Sequence, residues 1–369
     1  MLDQALGGAN RAAWRADTFT SPADYSLALT DSERAAMRAT AASLAAAGQL
    51  APAEALTRAD FAWGPLGARL AAAYRELRDG RGFVVIRGLP REGITLAEFT
   101  AIVWGIGAHF GRPLSQNAAG ELITHVVDAS AEDATPRMYR SNLELRLHSD
   151  ITAMIALACW NQGVEGGANI LASAATIHGA IAAPAPHLLE RLYRGYHYHR
   201  IGEEGEGEEP VTPYRVPVFV KRGGTISCRY QRTSIVGGHK ALGVPLDGDD
   251  IAALDLFDAT ARAPEHRIAF TQERGDMVVI NNYAVLHART RFADHPEPER
   301  KRRLVRLWLD APGFRDLPGE INLFAVNGIP PQPGRKCTFD FKQLYADEPQ
   351  ATGGMPHLVL DPAAARKAP

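Results

Sequence analysis

The feature that most constrains the fold is a succession of short β-rich segments that begins near Leu114. They are ELITHVVD, LRLHSDITAMIALACW, VPVFVKRGGTISCRYQR, HRIAFTQERGDMVVINN and RRLVRLWLD, and turns containing Gly or Pro separate them. Many short strands with such turns are typical of a β-sandwich or barrel. Two stretches of helical character, at about 175–192 and 249–262, interrupt the strands. We therefore expect an α+β fold that is mainly β with flanking helices.

The first 81 residues have a helical character instead. Thr30 and Asp31 can cap the run SERAAMRATAASLAAAG, and a second run, GPLGARLAAAYRELRDG, ends at Gly80. Alanine-rich helices of this kind suit a packing layer. We predict an N-terminal helical layer over residues 1–81, a β core over 82–310, and a C-terminal extension and tail over 311–369, all in one domain.

Charge and cysteine content argue against several classes of protein. Lysine plus arginine number 40 and aspartate plus glutamate 42, so no basic excess indicates a nucleic-acid partner. The three widely spaced cysteines, Cys159, Cys228 and Cys337, cannot form a disulfide framework or a thiolate zinc site. No signal peptide or apolar span of roughly 18 residues is evident. We expect a cytoplasmic protein with no membrane partner; whether it forms a homo-oligomer stays open.

A candidate metal-binding pair lies in LHSD, where His148 and Asp150 are two residues apart. Side chains alternate across a β-strand, so these two point to one side and Ser149 points away. One imidazole and one carboxylate are two ligands of a facial triad, which holds Fe(II) and leaves other coordination positions open. The chain has 12 histidines, so this pattern also arises by chance. A hydrogen-bonded surface pair is the alternative.

The candidate for the third ligand is His287, which follows the strand-like segment MVVINN in GDMVVINNYAVLHART. It lies far from His148 in sequence, so only the pairing of distant strands could bring the two together. Taken alone, it fits equally well as a buried histidine bonded to a carbonyl. HYHR, with His197 and His199, is a rival metal-binding pair, but it lacks a suitable carboxylate nearby, and we interpret it as aromatic packing on a strand.

Two arginines share one face of the last predicted strand, RRLVRLWLD. Alternation places Arg302, Leu304, Arg306 and Trp308 on one face and Arg303, Val305, Leu307 and Leu309 on the other, mostly apolar, face. Guanidinium groups on the inner face of a barrel require anions, since a buried unpaired charge is costly. The planar arginine fork is well suited to a carboxylate. An exposed basic strand is the alternative.

Four ordered motifs together resemble the taurine dioxygenase (TauD/TfdA), clavaminate synthase-like family. They are LHSD, EGGANILAS at 165–173, GDMVVINNYAVLHART and the Arg302–Arg306 pair, and the resemblance extends over about 82–310. The resemblance implies a double-stranded β-helix (jelly roll) core. It also implies Fe(II) as the metal, with 2-oxoglutarate and O2 as co-substrates.

The resemblance further implies roles for individual residues. By it, His148, Asp150 and His287 are the iron ligands, and Arg302 pairs with the distal carboxylate of 2-oxoglutarate. Asn169 stands where the family usually has a threonine, and its amide can donate to the same carboxylate.

A second group of residues is implied to bind the substrate. Arg306 resembles an arginine that holds an acidic group of the substrate in some members. Gln116, Asn142 and Asn282 lie in segments near the pocket of such folds and are further candidates.

The implied reaction couples decarboxylation of 2-oxoglutarate to succinate with hydroxylation of an unactivated C–H bond in a small, carboxylate-bearing molecule. Halogenases of the family lack the carboxylate ligand, and Asp150 therefore argues against halogenation. Desaturation or cyclisation stays open, since it depends on substrate placement. A zinc hydrolase with the same three ligands is also compatible with the motifs, and so is an inactive jelly-roll binding protein.

Overall fold

The computed structural model describes residues 11–50, 53–130 and 138–332. Its α-helices are α1 (Asp31–Ala46), α2 (Pro65–Asp79), α3 (Leu96–Phe110), α4 (Ala174–Ala182), α5 (Pro186–Arg194), α6 (Arg232–Leu242) and α7 (Gly248–Arg262). Its strands are β1 (Ser26–Ala28), β2 (Phe83–Arg87), β3 (Arg112–Pro113), β4 (Ile123–Val126), β5 (Leu145–His148), β6 (Met154–Asn161), β7 (Glu165–Gly166), β8 (Asn169–Ser173), β9 (Phe219–Arg222), β10 (Thr225–Cys228), β11 (Arg267–Phe270), β12 (Met277–Asn281), β13 (Val285–Arg289), β14 (Phe292–Ala293) and β15 (Arg303–Asp310).

Two sheets form the centre of the fold. The major sheet has the strand order β1-β2-β12-β6-β15-β3, with β4 also paired to β15, and the minor sheet has the order β11-β8-β13-β5. Every pairing in both sheets is antiparallel except that of β1 with β2. This arrangement confirms the expected α+β class and agrees with a double-stranded β-helix core.

The major sheet is buried on both faces, and its residues alternate between two hydrophobic clusters. On β2, Val84 and Ile86 belong to a cluster that contains residues of α1, α2 and α3. Phe83 and Val85 belong to the other cluster, which also contains residues of the minor sheet. The period of two in a strand produces this division. The sheet therefore lies between a helical layer on one side and the minor sheet on the other.

The helical layer differs in two ways from the predicted one. The short strand β1 lies within the first 81 residues and pairs in parallel with β2, Ser26 opposite Val85. Helix α3, which follows residue 81, packs with α1 and α2 on the same sheet. Both predicted N-terminal helices are present, and α1 begins after Thr30, whose side chain accepts a hydrogen bond from the Glu33 N–H. The domain division at 81 and 310 stays a prediction.

Further expectations are met in part. The helical stretch at 175–192 is two helices, α4 and α5, which end and begin around Pro184 and Pro186. Helix α6 was not expected, because its sequence RTSIVGGHKAL contains two glycines and a threonine that disfavour helices. No helix among the described ranges is both long and apolar enough to span a membrane. Cys337 and the tail lie outside the described residues.

Candidate active site

The two histidines of the predicted triad are direct cross-strand neighbours in the minor sheet. His148 ends β5, His287 lies at the centre of β13, and the register of the two antiparallel strands places them opposite each other. Their ring centroids are 4.4 Å apart. Pairing between distant strands thus brings together the residues that the sequence separates.

Asp150 completes a compact group of three possible metal ligands. One carboxylate oxygen, Oδ1, lies 3.6 Å from Nε2 of His148, and the second, Oδ2, lies 3.9 Å from Nε2 of His287. One ligand atom from each residue lies within 4.8 Å of the others, and the described part of the chain holds no further group of three such residues. Strand β5 ends at His148, so Asp150 follows the strand on the same side.

The hydrogen bond of His148 leaves Nε2, the nitrogen nearer to Asp150, available to bind a metal. Nδ1 of His148 lies 2.8 Å from the Arg146 carbonyl, which can only accept, so Nδ1 carries the proton and Nε2 presents its lone pair. Nδ1 of His287 is buried and has no hydrogen-bond partner among the described residues. Burial, reinforced by the neighbouring His148, lowers the pKa of His287 to about 3. A neutral imidazole at neutral pH is the form that binds a metal.

The carboxylate of Asp150 is held in its ionised form. Burial alone would raise its pKa, but the contacts with His148 and His287 and the positive charge of Arg306 bring that pKa well below its usual range. Two polar side chains also fix the Asp150 backbone, since Arg229 donates to its carbonyl and its N–H donates to Asn282 Oδ1 at 3.3 Å. The ligand is therefore charged and held in place.

A cavity lies beside the triad, between the two sheets. The minor sheet contributes His148, His287 and Arg289, and the major sheet contributes Leu157 on β6 together with the inward residues of β15. Its interior volume of about 150 Å³ is roughly ten times what one water molecule needs. The C-terminal extension covers part of it through three buried apolar residues: Leu323, Phe324 and Ile329.

The residues of β15, together with Arg302 immediately before it, divide between the two faces as predicted. Arg302, Leu304, Arg306 and Trp308 line the cavity, whereas Val305, Leu307 and Leu309 pack in the cluster that contains the helices. Both arginines are buried, at 4% and 5% exposure. Two guanidinium groups thus face the enclosed space beside the candidate metal ligands.

Arg302 has one guanidinium nitrogen without a protein partner. Its Nη1 is buried and makes no hydrogen bond to any described residue. Burial lowers the pKa of this guanidinium, which Asp294 partly counters. The backbone N–H of Arg302 donates to Asp294 Oδ1 at 2.6 Å, and the ring of Phe292 lies 4.9 Å from its Cζ. A buried cation in this condition requires an anionic ligand.

Arg306 is held on three sides. Its Nε donates to Oε1 of Gln116 at 2.7 Å and to Oγ1 of Thr124 at 3.1 Å. The Tyr139 ring covers one face of its guanidinium, 4.0 Å from Cζ. Gln116 in turn donates to the carbonyls of Leu122 and Arg306. Gln116, predicted as a substrate contact, lines the cavity and uses both ends of its amide to hold Arg306.

The three predicted asparagines lie outside the set of described residues that line the cavity. Asn169 Nδ2 donates to Oε1 of Gln272 at 3.1 Å, so the structure gives it a different contact from the predicted one. Asn142 accepts a hydrogen bond from the Phe292 N–H through its backbone carbonyl. Oδ1 of Asn282 accepts a hydrogen bond from the backbone N–H of Asp150. Their predicted roles toward co-substrate and substrate stay predictions.

Sequence reasoning missed several side chains that support the site. Trp308 Nε1 donates to Oδ2 of Asp150 at 2.9 Å. The alternation of β15 placed Trp308 on the inner face, but nothing in the sequence identified its partner. No sequence signal indicated Arg229 or Tyr139. In the rival pair, Nδ1 of His197 lies 2.8 Å from the Thr212 carbonyl and Nδ1 of His199 accepts from the Ile201 N–H at 2.8 Å, consistent with packing.

Comparison with known proteins decides the family. Residues 47–308 match the family described as "Taurine catabolism dioxygenase TauD, TfdA family". The chain belongs to the TauD/TfdA family. Among curated TauD/TfdA relatives, FR-33289 synthase of Streptomyces rubellomurinus (strain ATCC 31215) is 32% identical over 262 residues, which cover 69% of this chain and 77% of the relative. Taurine hydroxylase-like protein SAT17 of Stachybotrys chartarum (strain CBS 109288 / IBT 7711) is 26% identical over 309 residues, 80% of this chain and 77% of that protein.

Solved structures share the TauD/TfdA fold at low identity. An asparagine oxygenase in complex with Fe(II), 2S,3S-3-hydroxyasparagine and succinate has a TM-score of 0.62 at 17% identity, over 82% of this chain and 100% of that one. The non-heme iron oxygenase OrfP with Fe and alpha-ketoglutaric acid has a TM-score of 0.58 at 17% identity, over 77% and 94%. These similarities confirm the fold.

The residues present suit the iron and keto acid that a TauD/TfdA enzyme uses. Two imidazole nitrogens and one carboxylate oxygen, with no thiolate in the group, are a ligand set preferred by non-haem Fe(II). The buried Nη1 of Arg302, which has no partner among the described residues, suits a carboxylate. This protein is an Fe(II)- and 2-oxoglutarate-dependent dioxygenase.

Proposed function

We propose that this dioxygenase hydroxylates an unactivated C–H bond in a small anionic molecule, with His148, Asp150 and His287 as its iron ligands. The observation that carries the proposal is the pair of buried guanidinium groups, Arg306 on β15 and Arg302 immediately before it, that line the cavity beside the triad. When bound, iron and 2-oxoglutarate supply the oxidant by decarboxylation of the keto acid to succinate. The protein binds, orients and encloses the reactants.

Arg302 is the proposed anchor of 2-oxoglutarate. Its buried Nη1 requires an anion, and a charge-assisted hydrogen bond to the distal carboxylate would provide one. Asp294 holds the backbone of Arg302, and Phe292 packs against its guanidinium. The side chain is thereby oriented before the co-substrate binds, which reduces the entropic cost of binding.

Arg306 is the proposed anchor of the substrate. Gln116 and Thr124 occupy its Nε, and Tyr139 covers one face. No described residue accepts a hydrogen bond from Nη1 or Nη2, and Arg306 lines the cavity, so both nitrogens are the proposed donors to the substrate. Two parallel N–H groups can bind a planar carboxylate through both oxygens. Hydroxylated amino acids in the asparagine oxygenase and in OrfP, which share the fold, support a small carboxylate-bearing substrate.

Apolar side chains enclose the remainder of the site. Leu157 and Leu304 line the wall, and Phe324 and Ile329 cover it. A site with little water strengthens the electrostatic contacts of both arginines and protects reactive species from side reactions. We also propose that the enzyme acts in the cytoplasm on a free metabolite, because its formal charge of −2 offers no basic surface for nucleic acid and its described cysteines are free thiols.

A screen of small carboxylic acids for stimulated succinate release, with mass analysis of the product, tests the proposal. We expect an acid that gains one oxygen atom. Arg306→Gln should then lower kcat/KM for that acid at least about thirtyfold, corresponding to ~2 kcal/mol for removing one partner of a buried charge pair. Substrate-independent decarboxylation of 2-oxoglutarate should change little.

Arg303→Gln is the matched control, since Arg303 begins the same strand but is not among the described residues that line the cavity. It should leave kcat/KM near the parental value. Equal losses in the two variants would contradict the assignment of Arg306. Loss of two hydrogen atoms from the product, instead of gain of oxygen, would replace hydroxylation with desaturation.

A further inference from the structure

The distal oxygen of the proposed iron-ligating carboxylate already has a protein donor. The indole N–H of Trp308 lies 2.9 Å from Oδ2 of Asp150. Trp308 is 4% exposed and lines the cavity on the inner face of β15. Indole is a donor only, so the direction of this hydrogen bond is fixed. It joins the major sheet, through β15, to the residue that follows β5 of the minor sheet.

The two oxygens of Asp150 therefore differ. Oδ1 lies 3.6 Å from Nε2 of His148 and has no hydrogen-bond donor among the described residues. Oδ2 lies 3.9 Å from Nε2 of His287, but it already receives the indole N–H. A lone pair that accepts an N–H is a weaker donor to a metal, and rotation of the carboxylate would break the hydrogen bond. Partners of this kind orient metal-binding side chains and tune their affinity.

We propose that Trp308 is a positioning residue that keeps Asp150 bound to the metal through Oδ1 alone. A carboxylate that is free to rotate directs Oδ1 toward the metal for less of the time, which weakens metal binding. One that turned both oxygens to the metal would in addition occupy a position that a facial triad leaves open for the co-substrate. The inference rests on the proposed iron triad. With this role, three neighbouring residues divide the proposed functions of the site. Arg302 binds the co-substrate, Arg306 the substrate, and Trp308 the metal-ligating carboxylate.

The packing around Asp150 makes Trp308 the determinant of the carboxylate orientation. Arg229 and Asn282 also hold Asp150, but they act on its backbone, Arg229 on the carbonyl and Asn282 on the N–H. Among the described residues, only Trp308 donates a hydrogen bond from its side chain to Oδ2. Its ring belongs to the core cluster between the sheets, so its position is fixed by packing as well.

The test compares Mn(II) binding to metal-free protein by calorimetry, followed by 2-oxoglutarate binding to the Mn(II) form. Trp308→Phe keeps an aromatic ring and removes the N–H. We expect it to weaken Mn(II) binding about 10- to 100-fold, the range found for loss of such partners, and to weaken 2-oxoglutarate binding as well. Unchanged affinity for both ligands in a folded Trp308→Phe protein would overturn the inference.

Trp63→Phe is the matched control. Trp63 is 5% exposed, and its indole donates to Thr40 Oγ1 at 3.1 Å in the helical layer. This variant loses a similar ring and hydrogen bond but should bind Mn(II) like the parent. Equal weakening in both variants would assign the effect to lost stability and overturn the inference.

A second substitution, Trp308→Gln, separates positioning from packing. Glutamine restores an N–H donor but removes more apolar volume, so it should lower the melting temperature more than phenylalanine does and yet retain tighter Mn(II) binding. The opposite order of affinities would overturn the inference. His287→Ala tests the site itself: if Mn(II) binds this variant as tightly as the parent, the proposed triad fails, and the role of Trp308 fails with it.

Discussion

Gly167 is a residue whose lack of a side chain bears directly on the proposed co-substrate anchor. A Cβ at this position would lie 3.0 Å from Nε and 3.5 Å from Cδ of Arg302, and the backbone φ is +72°. The left-handed conformation favours glycine, and the Arg302 side chain would have to shift by a few tenths of an ångström to admit a methyl group. The backbone conformation and the nearness of Arg302 thus explain why the second residue of the Gly-Gly pair in EGGANILAS is a glycine.

We predict that Gly167→Ala raises the KM for 2-oxoglutarate about tenfold, equivalent to ~1.4 kcal/mol of binding, because the added methyl displaces the guanidinium. Steady-state kinetics at varied 2-oxoglutarate measures it. Gly224→Ala is the control, with a φ of +79° and nothing within 4 Å of the added Cβ. It should cost similar stability with an unchanged KM. A parental KM in Gly167→Ala would contradict the proposed role of Arg302.

Single residues of the site differ in how far the sequence could predict them. His148 and Asp150 were predictable because strand alternation places i and i+2 on one side. The amide of Gln116 was predicted to contact the substrate, which stays a prediction, and in the structure it lines the cavity and holds Arg306. A buried amide can meet its hydrogen-bonding capacity with protein or ligand, and the sequence does not say which. The hydrogen bond from Trp308 to Asp150 depends on how the two sheets pack together, and no sequence pattern indicates it.

At the scale of elements, β15 was the most predictable part of the site. Its period of two correctly assigned Arg302, Arg306 and Trp308 to the cavity and Val305 to the face toward the helices. A strand buried on both faces shows this alternation clearly when one face carries charges. The pairing of β5 with β13, which sets His148 opposite His287, was only inferred through the family resemblance.

Several elements were less predictable for physical reasons. The tertiary packing of α6 overrides the poor helix propensity of its two glycines, one of which, Gly238, is so close to the His197 carbonyl that a Cβ would lie 2.5 Å from that oxygen. Strand β1 has only three residues, too short for a periodic signal. The described part of the C-terminal extension, residues 311–332, has little regular structure, so its covering of the cavity could not be derived from periodicity.

At the scale of the whole molecule, neutral histidines make stability depend on pH. In the described ranges, burial lowers the pKa of His109, His125, His178, His199, His239 and His287. Below the ordinary imidazole pKa of about 6.5, the unfolded chain binds protons that the folded protein does not. The free energy of unfolding should therefore fall as pH drops through this value. Burial raises the pKa of Asp258 and Glu144, which opposes this trend.

We predict lower resistance to urea at pH 5.5 than at pH 7.5 in metal-free protein, with a slope of at most ~1.4 kcal/mol per pH unit for each such histidine. His125→Asn should reduce the slope, because it removes one of the histidines whose pKa burial lowers. Urea denaturation followed by circular dichroism measures both. Greater stability at pH 5.5 would contradict this account of the buried histidines.

The central claim is that two side chains of the LHSD segment and one of β13 hold one ferrous ion, beside an arginine that binds 2-oxoglutarate. Oxygen-dependent succinate formation measures it most directly. We expect the protein to form succinate from 2-oxoglutarate with Fe(II) and not with Zn(II), and Asp150→Ala and His287→Ala to reduce this to background while remaining folded. Succinate formation at the parental rate in either folded variant would contradict the claim.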